Sequence, residues 1–177
     1  MAGIALGVAA LIVVLSVMNG FQKEVRDRML SVLSHIEVTA PNGLAQWEEI
    51  ADTLSKQPNV LGVAPMVSSQ GLLSRADSMR GVAIRGVDPQ LEGRVSDLPK
   101  QFMVGSMSDL KPGQFGVVLG TQLAGTLGVR VGDRVNLLVP EGDLTPAGTM
   151  PRMRALVVVG ITDSGHYEYD STLAVLH

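Results

Sequence analysis

The chain opens with an uninterrupted apolar run. Residues 1–18 read MAGIALGVAALIVVLSVM, and the first charged residue is Lys23. A helix needs about 20 such residues to cross a hydrocarbon core of about 30 Å, so the run is just long enough to span a membrane. The pattern therefore predicts a transmembrane helix over residues 1–20. The alternative is the buried core helix of a soluble protein.

The flanks of this run distinguish a membrane span from a cleavable signal peptide. A signal peptide carries basic residues before its apolar stretch, and no Lys or Arg precedes this one. Orienting charges normally lie within about 20 residues of the end of a span. We therefore expect an uncleaved span whose natural start lies further upstream.

After Gly20 the apolar positions change to a helical spacing with charged residues between them. This periodicity predicts an amphipathic stalk helix over residues 21–34 that continues the span. Two roles fit such a helix equally well: transmission of rigid-body motion to an outer domain, and a simple tether with one packed face. The apolar positions that recur at this spacing are Phe21, Val25, Met29, Val32, Leu33 and Ile36.

From residue 35 onward, short strand patterns alternate with short helical patterns. This alternation predicts one α+β domain with a mixed sheet over residues 35–177, including a hairpin that turns near Asp77. The strand patterns cover 35–40, 60–67, 70–75, 80–87, 116–119, 134–139, 154–161 and 172–176, and the helical ones 47–54, 107–110 and 121–127. Gly128 is predicted to end the last of these helices.

Composition excludes several function classes. The net charge is −3 and the basic residues are scattered, so we expect no nucleic-acid partner. The glycine-rich stretch 113–120 lacks the Gly-Lys-Ser/Thr of a phosphate loop, and the chain has neither a G-x-S-x-G nor an HExxH motif. The sequence therefore predicts no catalytic site and no cofactor.

Side chains of the metal-ligand type cluster near the end of the chain, at Asp163, His166, Glu168 and Asp170. On a strand, the last three would share one face, and such donors suit zinc or a hard cation. Three ligands from one strand seldom converge tetrahedrally, however. We therefore favour a solvated polar loop and predict no metal site.

A proline-rich segment, residues 140–151 (PEGDLTPAGTMP), separates two strongly β-forming runs. Proline cannot donate to a sheet ladder, so we expect this connection not to pair as β structure and to project as a stiffened loop. A pre-ordered loop suits docking of a protein partner; the alternative is a variable surface loop. Its candidate contact residues are Pro140, Leu144, Pro146, Ala147, Met150 and Pro151.

Four segments together carry a family resemblance: SVMNGFQKEVRDRML (16–30), HIEV (35–38), GVVLGTQLAGTLGVRVGDRVNLLVP (116–140) and GHYEYDSTLAVL (165–176). In their order and spacing they resemble the LolC/LolE-type permeases of the lipoprotein-releasing ABC exporter. The resemblance implies a MacB-like periplasmic core domain that follows a first membrane helix. It also implies location in the bacterial inner membrane, with the main domain in the periplasm.

The same resemblance implies a set of partners. A separate cytoplasmic ABC ATPase would supply the energy, so the chain itself would not be an enzyme. A second permease copy or a paralogue would complete the subunit pair, and a LolA-like periplasmic chaperone would accept the lipoprotein substrate. Within the superfamily, the alternatives are a MacB-like exporter and an FtsX-like mechanotransmission permease; a membrane-anchored enzyme is a third.

LolC-like members recruit the chaperone through a proline-bounded hook with basic residues at its base. Residues 140–151 match this hook in position and in proline pattern. Asn136 stands where a basic residue is expected before the hook, so the basic surface is only partly carried over. The candidates for the basic base of the hook are Arg134, Arg152 and Arg154.

Overall fold

A computed structural model describes the backbone of residues 2–30, 36–41, 43–145 and 148–177, and their side chains except those of 25–30 and 141–151. The chain divides into two compact units, residues 1–37 and 38–177.

The first unit is built on helix α1, Ala2–Leu30. Its segment Ala2–Glu24 is long and apolar enough to cross a membrane, by length and composition. The side chains of that segment are exposed, among them Leu11 and Val13 in its middle. The segments predicted as span and stalk thus form one continuous helix as far as Leu30. Residues 31–35 lie outside the described residues, so the end of the stalk stays a prediction.

The second unit alternates short helices with strands. Single turns of 3₁₀ helix lie at Glu92–Arg94, Leu98–Gln101 and Met107–Asp109. The elements in chain order are α2 (Trp47–Ser55), β1 (Met66–Arg75), β2 (Ser78–Val87), β3 (Phe102–Val104), β4 (Gly116–Gly120), α3 (Thr121–Leu127), β5 (Arg134–Thr145), β6 (Gly148–Thr162), α4 (Tyr167–Asp170) and β7 (Leu173–Leu176).

The strands of the described residues form one mixed sheet of seven, in the order β3-β6-β4-β7-β2-β1-β5. β5 also pairs with β6, so the sheet closes on itself and β3 is left at an edge. The pairs β4–β6 and β2–β7 are parallel, whereas β1–β2, β1–β5, β4–β7 and β5–β6 are antiparallel. Closure removes unpaired edges that would otherwise template aggregation. The predicted α+β class with a mixed sheet is confirmed.

Two hydrophobic cores lie on the two faces of this sheet. The larger core contains Leu73, Val117 and Leu156, and the apolar face of α3 packs into it through Leu123 and Leu127. Gly128 ends α3 in the left-handed conformation, at φ +62°, as the sequence pattern predicts. The smaller core joins the 3₁₀ segment, by which we mean residues 92–110, to the strands. It contains Leu98, Met107 and Leu110 of that segment and Val87, Val118, Leu173 and Val175 of the strands.

Two strand predictions are wrong. Residues 36–40 belong to no strand, and Ile36 is 81% exposed. Residues 60–65 are irregular as well, because β1 begins only at Met66. Alternation of apolar and polar residues indicates a strand only where a neighbouring strand completes the ladder, and the described residues supply none at either place.

Candidate docking ribbon

β5 and β6 leave the closed sheet together as a two-stranded ribbon. β1 pairs with β5 at residues 136–138, and β4 pairs with β6 from Val157 onward. Beyond these points the described ladder joins β5 only to β6, from Val139↔Arg152 to Thr145↔Gly148. We call residues 139–152 the ribbon. It projects from the sheet at the place where the sequence predicts a projecting loop.

The expectation that this segment does not pair as β structure is wrong. The ladder resumes at Asp143↔Met150, after a register shift beyond Val139↔Arg152. This shift sets residues 140–142 of β5 against the single residue Pro151 of β6. Pro140 and Pro151 therefore lie within a bulge, one of the few places where a sheet tolerates residues without an N–H donor.

Part of the predicted contact set lies outside the described residues. Pro146 and Ala147 fall at the tip, which is not described, and the side chains of Leu144, Met150 and Pro151 are not described either. The backbone places Leu144 opposite Thr149, and Pro140 is exposed. Their role in docking stays a prediction.

The three candidate basic residues lie on two different faces. Arg152 pairs with Val139 and Arg154 with Leu137, whereas Arg134 pairs with Val157. Paired residues of an antiparallel ladder share a face, and successive residues alternate between faces. Arg152 and Arg154 are thus brought together, while Arg134 lies on the opposite face with Asn136.

An open depression of about 530 Å³ lies at the base of the ribbon, and both arginines line it. Leu137, which is buried, and Val139, which is half-buried, supply apolar surface there. Arg152, Met153 and Arg154 complete its lining, and all three are exposed. The depression offers a partner both apolar contact and positive charge.

Sequence analysis missed Phe115, which contacts one of these arginines. The guanidinium carbon of Arg154 lies 4.8 Å from the centre of the Phe115 ring, a cation–π contact. Phe115 ends the turn at residues 112–115 and adopts φ +51°, a conformation that costs a non-glycine residue about 1 kcal/mol or more. The available signal was an aromatic residue in a Pro-Gly turn, in a chain with three Phe.

The polar cluster at residues 163–170 holds a turn together. The strand on which His166, Glu168 and Asp170 would share one face is not formed, because residues 167–170 form helix α4. The carboxylate of Asp170 is buried and accepts hydrogen bonds from Ser164 N and Ser164 Oγ, at 3.0 and 2.9 Å. The carboxylate of Asp163 is exposed and accepts one from Gly165 N at 2.9 Å. Within the described ranges, no three His, Cys, Asp or Glu residues are arranged to hold a metal ion.

A buried polar network connects β2, the 3₁₀ segment and α4. The Arg85 guanidinium donates to Glu92 Oε1 at 2.9 Å, and Ser96 Oγ donates to the same oxygen at 2.6 Å. Arg85 also lies 3.4 Å from the Tyr169 hydroxyl. Burial raises the pKa of Tyr169 above its usual value near 10, although Arg85 acts in the opposite direction. Because Arg85 and Glu92 pair with each other inside the domain, we assign this network a role in stabilising the fold.

Comparison with known families decides the assignment of the fold. The family model of the MacB-like periplasmic core domain matches residues 1–175. The chain belongs to this family. The match covers helix α1 as well as the closed sheet and the ribbon described above.

Curated relatives of this MacB-like chain carry related names. It is 45% identical over 177 residues to the lipoprotein-releasing system transmembrane protein LolC of Neisseria meningitidis serogroup B, covering 99% of this chain and 43% of that protein. It is 42% identical to LolC of Xylella fastidiosa strain 9a5c, over 99% of this chain and 42% of that protein. LolE of Haemophilus influenzae is 33% identical, over 98% of this chain and 43% of that protein. The resemblance to LolC/LolE-type permeases is confirmed, and the chain spans less than half the length of these relatives.

Proposed function

We propose that the chain forms part of a permease subunit of an ABC transporter that releases lipoproteins from the inner membrane and passes them to a periplasmic chaperone. The observation that carries this proposal is the similarity to LolC proteins along 99% of the chain. Energy comes from a separate cytoplasmic ATPase subunit, and a second permease copy or a paralogue completes the transporter. The chain itself hydrolyses nothing.

In this proposal α1 lies in the inner membrane and the second unit lies in the periplasm. The exposed apolar surface of Ala2–Glu24 supports the first part, because it is unfavourable in water and favourable in lipid. The names of the relatives, transmembrane proteins of a lipoprotein-releasing system, support it further.

The ribbon docks the LolA-like chaperone. Its β5–β6 pairing supports this role, because a segment that is already ordered loses less conformational entropy on binding than a flexible loop does. The depression at its base adds apolar surface and two arginines on one face. The ribbon and the depression together form a continuous candidate docking surface.

Replacing residues 140–151 by Asn-Gly tests this role. Val139 and Arg152 are directly paired, so a two-residue turn closes the shortened hairpin without changing its register. Binding of the detergent-solubilised 177-residue chain to the LolA-like chaperone of the same organism is measured by calorimetry. We expect at least about a tenfold loss of affinity, about 1.4 kcal/mol.

The matched control is the β1–β2 hairpin, where Arg75 pairs with Ser78. Replacing Ala76-Asp77 by Asn-Gly introduces the same turn away from the ribbon, and binding should be unchanged. Equal affinity of the ribbon variant and this control would refute the docking role. Co-purification of a cell-wall hydrolase in place of the chaperone would point to the FtsX-like alternative.

A further inference from the structure

We propose that Phe115 positions Arg154 at the base of the ribbon, so that the pair forms a contact point for an acidic side chain of the chaperone. This inference rests on the docking function proposed above and adds a residue from a different part of the chain. Phe115 precedes β4, whereas Arg154 belongs to β6.

Arg154 keeps N–H donors for a partner. A cation–π contact is not a hydrogen bond, and the five N–H donors of a guanidinium suit two-point contact with a carboxylate. Among the described residues, the ion pairs found do not include Arg154. Contact with Phe115 therefore restricts the side chain without replacing those donors.

Phe115 occupies a position that suits other residues better. At φ +51° the backbone favours Gly or Asn, and the ring is 49% exposed, so core packing does not account for it. Its main chain has a separate task, because the carbonyl oxygen accepts a hydrogen bond from Val157 N at 3.0 Å. The contact with Arg154 gives the ring a role that the turn alone does not require.

The position of Arg154 fits docking. It pairs with Leu137, two residues beyond the Val139↔Arg152 pair from which the ribbon projects. Arg152 lies on the same face and lines the same depression. A cation beside an apolar floor favours an acidic side chain flanked by apolar residues as the matching element of the partner.

A double-mutant cycle tests the coupling between the two residues. Phe115→Leu keeps apolar volume and removes the ring, and it should weaken chaperone binding by about two- to fivefold, the factor expected for an exposed cation–π contact. Phe115→Tyr keeps the ring and should bind like the wild type. In an Arg154→Gln background, Phe115→Leu should cause no further loss.

Two further measurements separate positioning from a structural effect. Raising the salt concentration should weaken binding of the wild type more than that of Arg154→Gln. Phe115→Asn suits the left-handed turn, so the chain should remain folded by circular dichroism yet bind as weakly as Phe115→Leu. This second variant also provides the test if Phe115→Leu does not fold.

The inference is overturned if Phe115→Leu and Phe115→Asn bind like the wild type. It is also overturned if the effects of Phe115→Leu and Arg154→Gln on binding are additive in the double-mutant cycle. Failure of the proposed function has a different signature, namely full binding by the Asn-Gly variant of the ribbon. Loss of binding in that variant, together with normal binding by Phe115→Asn, would remove only the role of Phe115.

Discussion

Arg85 and Glu92 form an ion pair inside the second unit, with 2.9 Å between Nη2 and Oε1 and side-chain exposures of 9% and 1%. Arg85 belongs to β2, and Glu92 begins the first 3₁₀ turn. The pair therefore ties the segment that covers the smaller core to the sheet.

Breaking this pair should destabilise the fold strongly. Glu92→Ala leaves the buried Arg85 charge without its carboxylate, and we expect a loss of about 3–5 kcal/mol in the free energy of unfolding. Urea titration of the detergent-solubilised chain measures it. Removing both charges with Arg85→Met and Glu92→Leu should recover most of the loss.

The exposed pair of Asp52 and Lys56 provides the control, since its side chains are 66% and 70% exposed. Asp52→Ala should change the free energy of unfolding by less than about 1 kcal/mol. A loss for Glu92→Ala as small as this would show that the buried pair contributes little.

Stability should fall at alkaline pH in a way that depends on Tyr169. Burial raises the pKa of Tyr169 in the folded state, so the unfolded chain releases this proton first. The contribution is fully present below the unfolded value, about pH 10, and is lost as the pH rises through the folded value. Urea titrations between about pH 8 and 11 should show a steeper decline for the wild type than for Tyr169→Phe. Parallel declines would contradict the prediction.

Two neighbouring glycines should respond oppositely to alanine. A Cβ at Gly120 would lie 2.3 Å from the Asp170 carbonyl oxygen and 2.6 Å from its Cα, so Gly120→Ala must displace backbone, at a cost of several kcal/mol. Gly125 is exposed within α3 with open space around it. Gly125→Ala should stabilise by about 0.5–1 kcal/mol. Thermal unfolding measures the melting temperatures of both variants. Similar melting temperatures for Gly120→Ala and Gly125→Ala would contradict the close approach of Gly120 to the Asp170 backbone.

A charge in the middle of α1 should weaken membrane integration. Val13 lies near the centre of Ala2–Glu24, where an arginine costs about 2.5–3.5 kcal/mol for insertion. Val13→Arg should therefore raise the fraction of chain released from membranes by alkaline carbonate, whereas Val13→Leu should not. Equal release of the two variants would argue against a membrane span.

Local patterns in the sequence predicted the elements that local interactions determine. Thr121–Leu127 is a helix ended by Gly128, and the hairpin turns at Ala76-Asp77, both as expected. Helix spacing, a left-handed glycine and a two-residue turn are all encoded within a few neighbouring residues.

Features that depend on distant partners were not accessible in this way. The pairing of β5 with β1 closes the sheet between residues 72–74 and 136–138, and no short-range pattern encodes it. The contact of Phe115 with Arg154 joins residues 39 positions apart for the same reason. Pro140 and Pro151 suggested an unpaired loop because a bulge, which only the ladder register reveals, accommodates both of them.

Strand β6 has a mechanical consequence. It runs without a break from Gly148, beside the ribbon tip, to Thr162, where it pairs with both β3 and β4. A pull on the tip along β6 therefore loads the parallel β4–β6 hydrogen bonds lengthwise, all at once. Bonds loaded together resist shear better than bonds that open one after another. The strand is thus suited to carry tension applied at the tip into the body of the domain without unzipping at its root.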